Sequence, residues 1–242
     1  MQAIVLAGGL GTRLRPYTFT VPKPLLPLGD KPLLDFTISH LTRFDIAEII
    51  LALGYQAELL RAYCGDGSRY GVTIRYVEEP RPLGTAGCLA LCRGLLALDQ
   101  PCILMNGDIV TRLDFARMVA FHRERGAQLT IGYVHHTHQS PFGVLDLDGD
   151  RVTGVTEKPV YRHPVSAGIY CLSPEAVGLV PDGAPLTMPE LAVRVRDGGG
   201  RVLGYEIHEF WRALETRDHF EALLNDQATL DALNAAPERA DR

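Results

Sequence analysis

A glycine-rich segment near the start of the chain carries two basic residues that could act on phosphate groups. It runs Leu6-Ala7-Gly8-Gly9-Leu10-Gly11-Thr12-Arg13 and is followed by Val21-Pro22-Lys23-Pro24. Glycines let the backbone approach a ligand closely, and their N–H groups can surround phosphate oxygens. Arg13 adds a forked cation and Lys23 a point charge, a pair that suits a triphosphate. A turn that serves packing alone would not explain why both cations accompany the glycines.

Two common phosphate-binding loops do not fit this segment. A P-loop has the pattern GxxxxGK[ST], and no lysine follows the glycines at that position. The dinucleotide fingerprint GxGxxG fails because Leu14 occupies the place of its third glycine. It also fails because the second strand ends in Gly54-Tyr55 rather than in an acidic residue. A nicotinamide-dependent oxidoreductase is therefore disfavoured.

The glycine segment follows a predicted buried strand and opens a regular alternation of strands and helices. The predicted strands cover residues 3–7, 48–53, 72–77, 101–105, 128–134, 166–172 and 201–207. The predicted helices cover residues 33–44, 56–64, 85–97, 114–125, 188–196 and 216–234. A hairpin is expected at 142–157, with its turn at Asp148-Gly149-Asp150. This alternation predicts an α/β fold with a mixed, mainly parallel sheet that helices cover on both faces.

Two groups of candidate residues stand where predicted strands end. Gly8 and Gly9 follow the first strand, and Asp108 follows the strand at 101–105. In such sheets the ligand crevice lies beyond the carboxyl ends of the strands, so these residues are expected in one site. We expect a single domain over residues 1–234. The polar segment 235–242 is expected to be a frayed tail.

Composition narrows the classes of partner and the cellular compartment. The 242 residues are 46% hydrophobic and carry a formal net charge of −5, which disfavours a nucleic-acid partner. No run reaches the roughly 18 apolar residues of a membrane span, and the first residues do not fit a signal peptide. The five cysteines are scattered and odd in number, which indicates reduced thiols and a cytoplasmic protein. The sequence leaves open whether the chain forms a homo-oligomer.

Residues 8–32 fit a longer pattern, and five further motifs follow it in order. The pattern is GGxGTRLxPxTxxxPKPLLPxxxKP. The later motifs are Pro82-Leu83-Gly84-Thr85-Ala86-Gly87, Asn106-Gly107-Asp108, Phe142-Gly143-Val144, Glu157-Lys158-Pro159 and Ala167-Gly168-Ile169-Tyr170. In this combination the chain resembles the family of sugar-1-phosphate nucleotidylyltransferases. The resemblance implies their Rossmann-like nucleotidyltransferase fold.

The resemblance also implies a role for each motif. The nucleotide would be bound by Leu6, Ala7, Gly8, Gly9, Gly11, Thr12, Arg13, Leu83, Gly84 and Thr85. Catalysis would involve Arg13, Lys23 and Asp108, with Asp108 as a ligand of Mg²⁺. The sugar phosphate would be bound by Gly143, Glu157, Lys158 and Gly168. Glu157 suits two sugar hydroxyls and Lys158 the phosphate, although alone the pair would indicate only a solvated strand end.

The implied reaction joins a sugar 1-phosphate to the nucleotidyl group of an NTP and gives an NDP-sugar and pyrophosphate. The chain looks most like short bacterial members that activate mannose, amino-sugar or heptose 1-phosphates, often with GTP. GTP is therefore slightly favoured as the nucleotide. The attacking phosphate oxygen is already an anion at neutral pH. The reaction therefore requires alignment and charge neutralisation rather than a general base.

One position departs from the family pattern. The pattern W-x-D-I-G-T, whose Asp is the second metal ligand, corresponds here to Trp211-Arg212-Ala213-Leu214-Glu215-Thr216. Alanine cannot bind a metal, so Asp108 would act with phosphates and water, or Glu215 or Glu209 would reach the ion. The third alternative is loss of catalysis. It would leave a regulatory protein that binds nucleotide and sugar phosphate without turnover.

Three other features have ordinary explanations. His135, His136 and His138 could indicate a metal site, but neighbours on a strand end point apart, so a polar loop is favoured. Trp211 is expected to pack rather than to stack on a ligand. Met188-Pro189-Glu190 has the composition of a helix start.

Overall fold

Thirteen strands are present in the computed structural model, which describes residues 1–97 and 99–234. They are β1 (Gln2–Leu6), β2 (Pro27–Leu28), β3 (Lys31–Pro32), β4 (Glu48–Leu53), β5 (Thr73–Glu78), β6 (Cys102–Asn106), β7 (Ile109–Thr111), β8 (Leu129–Gln139), β9 (Val144–Asp148), β10 (Arg151–Thr156), β11 (Val160–Leu172), β12 (Val202–Glu206) and β13 (Trp211–Ala213). All the predicted strands are present, and the short strands β2, β3, β7 and β13 are additional. The predicted tail at 235–242 lies outside the described residues.

In the described residues, eight α-helices and several short 3-10 turns connect the strands. They are α1 (Leu33–Leu41), α2 (Ala57–Cys64), α3 (Gly84–Cys92), α4 (Phe115–Glu124), α5 (Pro174–Gly178), α6 (Met188–Asp197), α7 (Arg217–Leu224) and α8 (Gln227–Asn234). The predicted start of α6 is confirmed, because Thr187 and Glu190 form a capping box there. None of the helices described here has the length and apolar character that a membrane crossing needs.

Seven strands form the central sheet, in the order β12-β8-β11-β6-β1-β4-β5. β1 pairs in parallel with β4 and β6, and the outer pairs β4–β5 and β8–β12 are also parallel. β11 runs antiparallel to both of its neighbours. The predicted α/β fold with a mixed, mainly parallel sheet is confirmed. The carboxyl ends of β1, β4, β5 and β6 therefore meet at one edge of the sheet.

Alternate residues of the central strands enter two cores on opposite faces. Val5 of β1 belongs to the cluster formed with α1, α2 and α4, whereas Ile4 belongs to the cluster formed with α3 and α6. Full burial of such a side chain contributes about 1.5–3 kcal/mol. A third apolar cluster contains the fully buried Leu14 and Leu214. It joins the glycine segment after β1 to the segment that follows β13.

β8 and β11 are longer than predicted, and their outer halves pair with each other. Together with the hairpin of β9 and β10, which connects them, they form an arm that comprises residues 134–165. The prediction of a polar loop at His135, His136 and His138 was wrong, because β8 continues to pair with β11 as far as Gln139. Both faces of the arm are largely exposed. No apolar alternation therefore marks these strands in the sequence.

The single helix predicted over 216–234 is divided into α7 and α8. Asp226 lies at the break and accepts hydrogen bonds from the N–H (3.0 Å) and the hydroxyl (2.6 Å) of Thr229. An aspartate that accepts bonds from the first turn of a helix favours a new start at that point. The break directs Leu230 into the third apolar cluster.

Glycines allow the ends of β1, β4 and β6 to touch backbone against backbone. A Cβ atom at Gly107 would lie 2.5 Å from the carbonyl oxygen of Leu6, which already accepts a hydrogen bond from the Gly107 N–H over 2.9 Å. A Cβ atom at Gly54 would lie 2.7 Å from the carbonyl oxygen of Gly8. Neither position has room for a side chain unless the backbone shifts. These contacts fix the spacing of the three strand ends.

We predict that Gly107→Ala destabilises the protein by about 1–3 kcal/mol, because the new methyl group overlaps backbone atoms that cannot rotate away. Gly94→Ala is the matched control, since a Cβ atom there meets nothing within 4 Å. The control should leave stability unchanged or raise it by up to about 1 kcal/mol. Urea denaturation of both variants measures the difference. Equal midpoints would contradict a backbone contact as tight as the one described.

Candidate functional site

A cavity of about 740 Å³ opens at the carboxyl edge of the central sheet. A volume of this size is typical of sites that enclose a small molecule. Its wall contains most of the residues predicted to act on a nucleotide: Leu6, Ala7, Gly8, Gly9, Gly11, Thr12, Arg13, Lys23, Gly84, Thr85 and Asp108. Glu215, the alternative metal ligand, lines the cavity as well. The structure therefore brings together residues that are up to two hundred positions apart in the sequence.

Two contacts fix the loop after β1 and leave Arg13 at the cavity wall. Gly11 has a left-handed backbone (φ 61°), and the Thr18 hydroxyl donates a hydrogen bond to its carbonyl oxygen over 2.7 Å. A Cβ atom at Gly11 would lie 2.9 Å from the Thr18 methyl group, so glycine is required. Leu14 is fully buried and fixes the next turn. Arg13, between these two anchors, is exposed.

Lys23 and Asp108 form a close ion pair in the cavity. The Nζ atom of Lys23 lies 2.5 Å from Oδ2 of Asp108, and only 15% and 25% of the two side chains are exposed. Lys23 lies between Pro22 and Pro24, both of which are buried, and begins the short 3-10 turn Lys23–Leu25. The prolines fix the local backbone, and therefore the position from which the ammonium group reaches Asp108. Charges in a partly desolvated site interact more strongly than charges in water.

The segment around Ala213 meets Asp108 in the fold. The carbonyl oxygen of Asp108 accepts a hydrogen bond from the N–H of Leu214 over 2.9 Å. Antiparallel pairing of β7 with β13 sets Ala213 opposite Ile109, the residue that follows Asp108. The two segments that the family pattern joins at the metal are therefore neighbours in space. Ala213 is half-buried and packs against the core.

A second ion pair joins Glu215 to the glycine segment. Its Oε2 atom lies 3.1 Å from Nη1 of Arg13, and 54% and 72% of these side chains are exposed. Exposed pairs contribute only about 0–1 kcal/mol, because water competes for both charges. A phosphate group could therefore replace Glu215 as the partner of Arg13 at little cost.

Four polar residues of the cavity wall were not among the predicted site residues: Tyr55, Glu79, Arg81 and Asn106. Tyr55 and Glu79 follow β4 and β5 closely, so the strand-end rule could have identified them. Glu79 is held by the N–H of Leu83, which donates to its Oε2 atom over 2.8 Å. Arg81 donates from Nη2 to the carbonyl oxygen of Gly183 over 2.8 Å. Both side chains are thus partly positioned before any ligand binds.

Asn106, at the end of β6, packs against the predicted sugar-phosphate residue Gly168. A Cβ atom at Gly168 would lie 2.6 Å from Nδ2 of Asn106, and the glycine backbone is left-handed (φ 67°). The Oδ1 atom of Asn106 is buried and has no hydrogen-bond partner among the described residues. An unpaired buried acceptor costs about 1–3 kcal/mol, so a ligand that donates a hydrogen bond here would be favoured.

The start of α3 packs against the segment at Leu186 and also lines the cavity. Leu83 is almost fully buried and, unlike Gly84 and Thr85, does not line the cavity. The N–H groups of Ala86 and Gly87 both donate to the carbonyl oxygen of Leu186, over 2.9 and 3.0 Å. Packing against this segment explains the small residues that open the helix. The first-turn N–H groups at 86 and 87 are occupied and are not directed at a phosphate.

The other predicted sugar-phosphate residues lie in the connections between the outer ends of β8 and β11 and the hairpin of β9 and β10, outside the wall of the main cavity. Gly143 and Glu157 are neighbours, since a Cβ atom at Gly143 would lie 2.9 Å from Oε2 of Glu157. Both are exposed, as is Lys158. Lys158 has a left-handed backbone (φ 45°), which is unusual for a residue with a long side chain. Trp211 packs as predicted, and its Nε1–H donates to the carbonyl oxygen of Ala167 over 2.9 Å.

The described lining of the cavity contains no serine, cysteine or histidine, three side chains that often serve in covalent catalysis. All five cysteines are buried elsewhere, and burial raises the pKa of the Cys88 thiol to about 12. Burial likewise lowers the pKa of His40 to about 4, and this imidazole contacts the carbonyl oxygen of Leu113. The cations at the wall, Arg13, Lys23 and Arg81, are suited to binding and neutralising phosphate groups.

Comparison with known proteins agrees with this chemistry. A family model described as nucleotidyl transferase matches residues 2–183, about three quarters of the chain. The chain belongs to this family. The match confirms the resemblance inferred from the motifs.

Relatives in sequence include two mannose-1-phosphate guanylyltransferases. One is a probable enzyme of this name from Oryza sativa subsp. japonica, 33% identical over 231 residues, which cover 92% of this chain and 64% of the relative. The other comes from Mycobacterium tuberculosis and is 33% identical over 225 residues, which cover 91% of this chain and 62% of the relative. The chain thus spans slightly less than two thirds of the length of these relatives.

Solved structures have the same fold at lower sequence identity. HddC from Yersinia pseudotuberculosis has a TM-score of 0.73 and 23% identity, over 93% of this chain and 99% of that chain. A protein of Bacillus anthracis, provisionally assigned as a glucose-1-phosphate thymidylyltransferase, has a TM-score of 0.76 and 22% identity. The match covers 99% of this chain and 98% of the Bacillus anthracis chain. These matches establish the fold.

The left-handed backbone of Lys158 leads to a stability prediction that is separate from binding. A non-glycine residue in this conformation costs about 1–2 kcal/mol. Lys158→Gly and Lys158→Ala both remove the charge, but only glycine removes the strain. Urea denaturation should find the glycine variant more stable than the alanine variant by about 1 kcal/mol. An alanine variant of equal or greater stability would mean that position 158 is not strained.

Proposed function

We propose that the protein transfers a nucleotidyl group from an NTP to a sugar 1-phosphate, which gives an NDP-sugar and pyrophosphate. The main support is the cavity at the strand ends, whose glycine segment carries Arg13 and whose wall pairs Lys23 with Asp108. The relatives named as mannose-1-phosphate guanylyltransferases catalyse a reaction of this class by name. The proposed role is the synthesis of activated sugars.

The proposed mechanism is a direct displacement at the α-phosphorus. The attacking oxygen belongs to the sugar phosphate, is already anionic, and needs no residue to remove a proton. Arg13 and Lys23 hold the phosphates of the NTP and neutralise the charge that develops on the leaving pyrophosphate. The glycine backbone allows the NTP to approach closely. The absence of serine, cysteine and histidine from the described cavity wall fits a single step without a covalent intermediate.

The residues present fit a divalent metal ion, which we propose to be Mg²⁺. Asp108 and Glu215 offer carboxylate oxygens on the wall of one cavity, and oxygen is the ligand that Mg²⁺ prefers. A bound Mg²⁺ would neutralise phosphate charge and help to orient the NTP. Asp108 would hold the ion, and Lys23 would then turn from Asp108 to the phosphates. Glu215 would become available once Arg13 binds a phosphate.

We propose that the sugar phosphate lies between the cavity and the connections of the arm that contain Gly143, Glu157 and Lys158. Asn106 lines the cavity and packs against Gly168, and its unpaired Oδ1 atom suits a sugar hydroxyl. Lys158 would neutralise the phosphate, and Glu157 would accept hydrogen bonds from two hydroxyls. Mannose 1-phosphate is the first substrate to test, because the relatives are named for it.

GTP is the nucleotide we propose, on the chemistry of the cavity and the names of the relatives. Guanine presents two adjacent donors, N1–H and the N2 amino group, and a carboxylate can accept from both. Glu79 lines the cavity and has one oxygen committed to Leu83 N–H, which fixes its orientation. Arg81 is close along the chain and could donate to O6 or N7 of guanine, a frequent pairing of arginine with this base.

Ala213 supports a second candidate function, the binding of nucleotide and sugar phosphate without turnover. The methyl group cannot replace a carboxylate, and the half-buried residue packs against the core. Such a protein would have a regulatory role. For either function we propose a cytoplasmic location, supported by five unpaired and buried cysteines.

The decisive experiment measures pyrophosphate release from panels of NTPs and sugar 1-phosphates in the presence of Mg²⁺. We expect turnover, and we expect Asp108→Asn to lower the rate by at least about a hundredfold, because it removes the main metal carboxylate. Asp150→Asn, at the exposed hairpin turn, is the control and should retain the rate. An Asp108→Asn variant with near wild-type rates would exclude the metal assignment. Nucleotide binding without turnover on any panel would favour the second function.

Glu79→Gln tests the choice of nucleotide. Glutamine keeps an acceptor for Leu83 N–H but loses the charge that would face the guanine donors. A charge-assisted hydrogen bond contributes about 1.5–3 kcal/mol, so kcat/KM for GTP should fall about tenfold to a hundredfold. Values for other NTPs should change much less. Glu78→Gln is the control, because Glu78 pairs with Arg61 away from the cavity. An unchanged GTP preference in Glu79→Gln would contradict this assignment.

A further inference from the structure

Three histidines share one face of the arm. His136 of β8 lies opposite His163 of β11, and His138 lies opposite Tyr161. Residues two apart in a strand point to the same face, so these four rings form a continuous surface. His135 points to the other face, where its Nε2 atom lies 3.2 Å from Oε1 of Glu206. The expectation that neighbouring histidines point apart holds for 135 and 136, but β11 supplies a further histidine to the first face.

The spacing of the rings is close to that of imidazoles that share an ion. The ring centres of His136 and His138 are 6.2 Å apart, and those of His138 and His163 are 5.7 Å apart. Imidazole nitrogens lie about 2.0–2.1 Å from Zn²⁺, so two rings in a tetrahedral site have centres about 5–6 Å apart. As the side chains stand, the rings are stacked. No three His, Cys, Asp or Glu side chains in the described ranges form a ready-made metal group. Rotation of the side chains would be needed, and all three are exposed.

These rings have no competing contacts that would prevent the rotation. Within the described part of the chain, His136, His138 and His163 make ring contacts with one another and with Tyr161, but no hydrogen bond or ion pair. Their ring nitrogens are therefore available to an ion. By contrast, His135 is already engaged by a carboxylate.

We propose that His136, His138 and His163 bind a divalent transition-metal ion of the Zn²⁺ type, with water completing the coordination. Three imidazoles and one open position are a common ligand set for such ions. Mg²⁺ prefers oxygen ligands, so this site differs in chemistry from the one proposed at Asp108. Because the ligands come from both strands, the ion would cross-link β8 and β11 in the arm. Lys158 lies in the connection from β10 to β11, two residues before the start of β11.

Zinc binding to the untagged protein tests the proposal. The protein is titrated with ZnCl₂ in a calorimeter, and excess Mg²⁺ is present to limit Zn²⁺ binding at the cavity carboxylates. We expect a single high-affinity site whose affinity falls at least about tenfold in the double variant His136→Ala/His163→Ala and in His138→Ala. His135→Ala is the matched control and should bind as the wild type does. Circular dichroism and urea denaturation verify that each variant is folded.

Hydrogen exchange provides a second readout that follows the cross-link itself. In the wild type, Zn²⁺ should slow exchange at 134–139 and 160–165, and it should have no such effect in the double variant. Three results would overturn the proposal. They are no zinc binding by the wild type, equal binding by the wild type and the folded histidine variants, and a loss of binding confined to His135→Ala.

Discussion

Direct backbone contact between strand ends is the constraint on which the site depends. Gly8, Gly54 and Gly107 lie where β1, β4 and β6 finish, and a side chain at Gly54 or Gly107 would overlap a neighbouring carbonyl oxygen. With these strand ends in direct contact, part of the cavity wall is main chain, and a polar ligand can approach peptide groups closely. The charged groups come from the surrounding loops. Arg13 and Lys23 reach the cavity from turns that buried leucine and proline side chains anchor.

Four charged groups of the cavity form two ion pairs, and the proposed ligand would exchange the partners of both pairs. Asp108 holds Lys23 in a partly buried contact, whereas Glu215 holds Arg13 in an exposed one. A nucleotide with its metal ion brings both kinds of charge, so each protein group can exchange its present partner for one on the ligand. This exchange keeps every charge compensated, which lowers the cost of desolvating the site.

The sequence predicted those features of the fold and of the candidate site that local residue patterns determine. Strand ends, the glycine segment and Asp108 could be predicted, because burial of parallel strands and turn chemistry leave local patterns. Asn106 was not identified as a site residue, because its role depends on contact with Gly168, sixty-two positions away. Leu83 was predicted to bind the nucleotide, but packing of α3 against a distant segment buries it. The hairpin of β9 and β10 was predicted, but the outer halves of β8 and β11 were missed, because strands with two solvated faces have no apolar period. The break before α8 depends on one capping residue, Asp226.

The proposed activity depends most on whether Glu215 supplies the carboxylate that Ala213 lacks. The most direct measurement is pyrophosphate release from GTP and mannose 1-phosphate as a function of Mg²⁺ concentration. It compares the wild type with Glu215→Gly and with the double variant Ala213→Asp/Glu215→Gly. We expect an active wild type, a single variant that needs more Mg²⁺, and recovery in the double variant. An inactive wild type that binds GTP, together with an active double variant, would contradict the proposal and identify a protein that has lost catalysis.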